Sequence, residues 1–134
     1  MTTTATLSHT AIERTIEADF PTTLERVKAA LQREGFGVLS EIDLKAKLKE
    51  KLGVDFKPYV ILGACHPPTA YKGVSMEEGV GVIMPCNVVV HAAAHGTAVK
   101  AVRPVATLKM FRNPSLEALG SDVEAMLRRV VESI

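Results

Sequence analysis

Seven successive residues, Tyr59-Val60-Ile61-Leu62-Gly63-Ala64-Cys65, are almost wholly apolar, and Pro67 follows one residue later. A run of this length without polar alternation reads as a buried strand. A proline lacks the N–H that the first turn of a helix leaves unpaired, so Pro67 suits a helix start. The chain therefore changes from strand to helix at Cys65, and the rest of the sequence has to supply the elements that cover that strand.

His9 to Glu17 alternates around Ile12 and Ile16 as a first strand. In Pro21-Thr22-Thr23-Leu24-Glu25, Thr22 and Glu25 have the spacing of a capping box, so a helix is expected from there, with Leu24, Val27 and Leu31 on one face and Gly35 as its left-handed stop. Phe36 to Ile42 reads as a second strand, and Asp43 caps a short helix with Leu44, Leu48 and Leu52 on a stripe and Gly53 after it. Lys45, Lys47, Lys49 and Lys51 form the solvated side of that amphipathic helix and are given no role.

Ala70, Tyr71 and Val74 can pack the helix after Cys65, and Glu77-Glu78-Gly79 turns the chain toward a strand over Gly81 to Ala92. Ala93-Ala94-His95-Gly96 joins this to a strand from Thr97 to Arg103 as a hairpin, with glycine where a turn wants positive φ. Asn113 caps and Pro114 opens a last helix whose apolar face is Leu116, Leu119, Val123, Met126, Leu127 and Val130. The order, β-α-β(4)-α with small helical inserts, predicts an α+β fold: an antiparallel sheet covered on one face by helices.

A chain of 134 residues with 47% hydrophobic content can bury one core, so residues 1–134 are expected to form a single domain, with the Thr-rich residues 1–8 frayed. A net charge of +1 draws the molecule to neither nucleic acid nor anionic lipid, and no Trp with two Tyr and four Phe leaves little aromatic surface on which bases can stack. The longest apolar stretch, Val80 to Ala94, is interrupted by Pro85, Asn87 and His91 and falls short of the about 20 residues that span a bilayer. Two cysteines are too few for a disulfide-stapled secreted scaffold, and the first residues lack the basic flank and apolar run of a signal peptide, so a reducing cytoplasm is the expected compartment.

The chemistry-bearing candidates are Cys65, Cys86 and His66. Cys65 meets a helix N-terminus, where the macrodipole favours a thiolate, although Pro67 and Pro68 remove two donors that would solvate it. Cys86 follows Pro85, which marks an edge, a bulge or a strand start, and a kink there can bring both sulfurs to one pocket. His91-Ala92-Ala93-Ala94-His95 has the spacing of a helical zinc pair, but Val88-Val89-Val90 favours a strand, Gly96 favours a turn, and no glutamate lies between the histidines to act as a base. Glycine-rich phosphate loops and nucleophile elbows are absent.

Leu52-Gly53-Val54-Asp55-Phe56-Lys57-Pro58-Tyr59, then Ile61 to Cys65, Pro67 and Ala70-Tyr71, together with Met84-Pro85-Cys86-Asn87-Val88-Val89-Val90, resemble the two signatures of the family named domain of unknown function 302. The likeness runs from about Thr15 to the last helix. It implies a small bacterial or archaeal domain with a TATA-binding-protein-like arrangement and no assigned activity. Members commonly carry Asn after the first cysteine, where this chain has His66.

These readings lead to a small-ligand-binding domain with a pocket near Cys65 and Cys86, at which Asn87 and Tyr71 are also placed, and with no cofactor or resident metal. Two alternatives stand beside it: a thiol redox or sulfur-transfer protein in which Cys65 attacks, Cys86 resolves and His66 serves as base, and a Cys/His metal-binding protein. Exposed sheet edges add a homodimer as an expected assembly.

Overall fold

A computed structural model describes residues 4–134. Its centre is a six-stranded antiparallel sheet in the order β1-β2-β6-β5-β4-β3, formed by β1 (Thr6–Leu7), β2 (Ala11–Ile16), β3 (Gly37–Asp43), β4 (Tyr59–Cys65), β5 (Cys86–Ala92) and β6 (Thr97–Val102). Helices α1 (Phe20–Arg33), α2 (Leu44–Leu52), α3 (Pro67–Met76), α4 (Pro104–Leu108) and α5 (Pro114–Glu132) complete the α+β fold.

The strand register explains which face is buried. Val60, Leu62 and Ala64 on β4 lie opposite Val90, Val88 and Cys86 on β5, and Val90 and Val88 in turn face Val99 and Ala101 on β6. Side chains alternate along a strand, so this single parity forms one apolar floor. Ile12 on β2 extends the floor, and Val27, Leu31, Leu127 and Val130 of α1 and α5 close over it with none of their side chains reaching solvent. Helices thus cover one face of the sheet, as the amphipathic patterns of α1 and α5 predict.

Local punctuation sets the helix ends. Asn113 Oδ1 accepts from the N–H groups of Ser115 and Leu116, and Asp43 Oδ1 accepts from Ala46, as the sequence predicts. Helix α1 begins earlier than the Thr22/Glu25 pattern suggests: Asp19 is its cap, accepting from Thr22 N at 2.8 Å, with Pro21 in the first turn. The hydrogen bond to Thr22 lowers the Asp19 pKa. At the β5–β6 hairpin Gly96 has φ +83°, and a Cβ there would run into the carbonyl oxygen of Ile16. Only glycine meets both demands.

Four expectations change. Of the stretch expected to fray, Thr6 and Leu7 are instead held as a short strand by pairing with Glu13 and Ile12; Met1 to Thr3 lie outside the described residues. Gly81 to Pro85 do not belong to a strand: Glu78–Ile83 is a 3₁₀ turn, and β5 starts at Cys86 after the cis Met84–Pro85 bond. The leucine stripe of α2 does not enter the core, since no residue of that helix is buried and Leu52 is 69% exposed. Finally, Pro104–Leu108 and the 3₁₀ turn Lys109–Phe111 occupy what had no predicted element.

Candidate functional site

At the end of the sheet where β4 stops and β5 begins, α3, α4, α5 and the 3₁₀ turn Glu78–Ile83 surround a second, smaller core of Val80, Leu108 and Leu116. Between this core and the larger one lies a cavity of ≈ 70 Å³ with Cys65, Cys86, His66, Met84 and Pro85 in its wall. Phe36, Ala64, Leu119 and Val123 supply much of its apolar lining, and no Asp, Glu, Lys or Arg side chain contributes.

Cys86 reaches the cavity because it continues the Val90-Val88 parity toward the helices. Cys65 reaches it as the last residue of β4, where the chain turns into α3. The two thiols, far apart in sequence, therefore share one wall. Burial, and after it the electrostatic influence of the neighbouring Cys65, push the Cys86 thiol up to about 11. Cys86 is a neutral thiol at physiological pH and a weak nucleophile.

Gly63 and Pro85 hold the start of β5 in place. A Cβ on Gly63 would stand 2.8 Å from Pro85 Cγ and would also collide with Ser40 Oγ, so the absence of a side chain lets Pro85 lie across β4. The far wall is held by Glu124 of α5, which accepts from Arg103 Nε at 3.0 Å and from Val105 N at 3.1 Å. Both bonds fasten the beginning of α4, including the cavity residue Pro104, to the long helix. Gly120 permits the approach, since a Cβ there would meet Leu108 Cδ1 at 3.0 Å.

His66 is half-buried at the head of α3, with Nδ1 2.6 Å from Thr69 Oγ1 and its ring centroid 5.5 Å from that of Phe36. Its Cδ2–Nε2 edge lies over Gly35, where a Cβ would come within 3.3 Å of both atoms. This packing serves the junction between α1, β3 and α3. The other two candidate ligand positions do not join the cavity: Tyr71 is 74% exposed on the outer side of α3, and Asn87 is exposed on the sheet face opposite the helices. The cavity residues contributed by α4 and α5 were not foreseen from sequence.

His91 and His95 do not form a zinc pair. His91 lies in β5, stacks on Tyr59 at 5.4 Å and donates from Nδ1 to the Ala92 carbonyl oxygen, while His95 is exposed in the hairpin turn. Among the described residues no group of three or more His, Cys, Asp or Glu comes together as a metal site, and no helix is long and apolar enough to cross a membrane.

The comparisons agree with this architecture. The crystal structure of an uncharacterized conserved protein DUF302 from Bacillus stearothermophilus superposes with a TM-score of 0.86 at 30% identity, over 92% of this chain and 98% of that one. No curated protein matches the chain. The model of Domain of unknown function DUF302 matches residues 12–134, which takes in all of the sheet except β1 and the opening of β2, every helix and both cysteines. On both grounds the chain belongs to the DUF302 family.

Proposed function

We propose that the protein is a small-ligand-binding domain whose ligand occupies the cavity beside Cys65 and Cys86. The observation that carries this reading is a void of ≈ 70 Å³ at the meeting of two otherwise close-packed cores, walled by apolar side chains. Protein interiors are normally filled, and apolar side chains that line unfilled space forgo packing contacts. An occupant of the right shape recovers some of them. The size limits the occupant to a few non-hydrogen atoms, well below the about 300 Å³ of a drug-sized site.

Small apolar probes such as benzene or xenon test the reading. Their binding is expected to raise Tm and to shift the NMR signals of Ala64, Leu119 and Val123. Leu119→Trp, which fills the space, should abolish both effects while the protein remains folded. If no probe perturbs these residues at millimolar concentration, the reading fails. The thiol-transfer alternative is weakened by burial of Cys86, which leaves little thiolate to resolve a bond to Cys65.

Self-association is a second reading, favoured by β3. This edge strand is exposed along its length and presents Leu39 at 68% and Ile42 at 43% exposure. Unpaired antiparallel edges join readily across a two-fold axis. Sedimentation equilibrium should give twice the mass of one chain, reduced to one by Ile42→Lys; a wild-type monomer at high concentration removes the dimer.

A further inference from the structure

The cavity wall carries an uncommon combination: two thiols, one thioether and no charged side chain. Cys65, Cys86 and Met84 all line it. Hard divalent ions prefer oxygen donors, and a structural zinc site takes four ligands, yet among the described residues no third His, Cys, Asp or Glu joins the cysteines. His66, the nearest imidazole in the chain, is held by Thr69 at 2.6 Å and packed over Gly35. Two sulfurs in an apolar enclosure match a soft monovalent ion, because thiolate and thioether donors select Cu(I) over oxygen-seeking metals.

We propose that Cys65 and Cys86 together bind one soft monovalent d¹⁰ cation, Cu(I) or its analogue Ag(I), as a bis-thiolate complex inside the cavity. Two S–H bonds break and two metal–sulfur bonds form; the two protons leave to solvent, no electron is transferred, and the metal with its two thiolates carries a net charge of −1. Met84 lies alongside as a soft, neutral neighbour. The apolar wall excludes water and the carboxylates that would favour harder ions. Because each ion displaces two protons, apparent affinity rises with pH by roughly a hundredfold per unit while both thiols are protonated.

This proposal rests on the ligand-binding reading only in requiring that solutes enter the cavity. Reduced protein is titrated anaerobically with Cu(I) in competition with a chromophoric Cu(I) chelator. The expected result is one ion per chain, two protons released into weak buffer and a sulfur-to-metal absorption band in the ultraviolet. Cys65→Ser and Cys86→Val should each weaken binding at least a hundredfold, with circular dichroism and benzene binding showing that the variants are folded. Wild-type affinity no better than that of the double variant overturns the proposal. So does half an ion per chain, which would mean sulfurs from two molecules on each ion, or Zn(II) displacing Cu(I) at equal concentration. Benzene binding without Cu(I) binding defeats the cation site and leaves the cavity reading intact, whereas Cu(I) binding without binding of any apolar probe does the reverse.

Discussion

The sheet floor under α1 and α5 and the end enclosed by α3 and α4 are built from the same kinds of side chain, but they are filled differently. On the floor, Ile12, Leu62, Val88, Val90, Val99, Leu127 and Val130 are all fully buried and mutually packed. At the end, the buried apolar cluster is Val80, Leu108 and Leu116, the enclosing residues Ile83, Met84 and Phe111 are half-buried, and a cavity remains between the two clusters. The contrast follows from how each is made. Continuous strands set a regular spacing that long helices cover, whereas the end is assembled from a 3₁₀ turn and helices of five and ten residues, which cannot interdigitate as evenly. Close packing is concentrated on the floor, and unfilled space lies at the end.

The largest expected effect tests the floor. Leu127→Ala removes a side chain with no solvent exposure and should cost about 3–5 kcal/mol in urea denaturation. Leu119→Ala, facing the existing cavity, should cost half as much or less, because fewer contacts are lost there. Equal losses would show that the end is as tightly packed as the floor.

The next effect is specific to the cysteine wall. Cys86 keeps its proton more firmly in the folded protein than in the unfolded chain, so its contribution to stability is complete below the ordinary value of 9.0 and is lost as pH rises toward about 11. Two pH units correspond to roughly 3 kcal/mol. Wild-type stability should therefore fall more steeply between pH 9.0 and about 11 than that of Cys86→Val, which has no thiol to ionise. Parallel curves would mean that the thiol is solvated in the native state.

A smaller effect belongs to the helix that spans both regions. Asn113→Ala removes the acceptor for Ser115 and Leu116 at the head of α5 and should cost about 1 kcal/mol. Since α5 leads from the cavity end to the floor, NMR signals of Leu116 and Leu119 should broaden before those of Leu127 and Val130. Uniform broadening would make the helix one rigid unit and remove the distinction between its halves.

The two regions were also unequally legible. Floor strands and their helices announce themselves through local chemistry: the apolar run of β4, Pro67 after it, Asp43 and Asn113 as caps, and the Gly96 turn are all read from neighbours in sequence. At the cavity end the deciding contacts are distant. Neither the 3₁₀ path of Glu78–Ile83 nor the short α4 has a strong periodic signal, and nothing beside Cys65 indicates that Leu119 and Val123 will form the opposite wall. The positions of the cysteines are legible because a proline stands close to each, Pro67 as a helix start and Pro85 as the mark of an edge, a bulge or a strand start. Asn87 and Tyr71 lie off the cavity, as periodicity requires: Asn87 is one strand position from the inward Cys86, and Tyr71 falls between the inward Ala70 and Gly73 on α3. The exposed stripe of α2 is a different case, since an amphipathic pattern states what a helix can bury and not whether a surface is there to receive it.

The smallest predicted change separates stability from binding most cleanly. Gly73 lies inside α3 and lines the cavity, and a Cβ there would meet Leu119 Cδ2 at 3.7 Å and Val80 Cγ1 at 3.8 Å, both ordinary contacts. Gly73→Ala should stabilise the fold by about 0.5–1 kcal/mol, because alanine loses less backbone freedom in a helix and the new methyl fills part of the void. The same methyl occupies ligand space, so benzene affinity should fall severalfold while Tm rises by a few degrees. A site selected only for packing would have gained from this substitution without loss. If stability rises and probe binding is unchanged, ligands do not enter beside α3, and the opening must be sought between α4 and the 3₁₀ turn. If stability falls, the glycine is there to let α3 approach α5, and the cavity is a by-product of that approach.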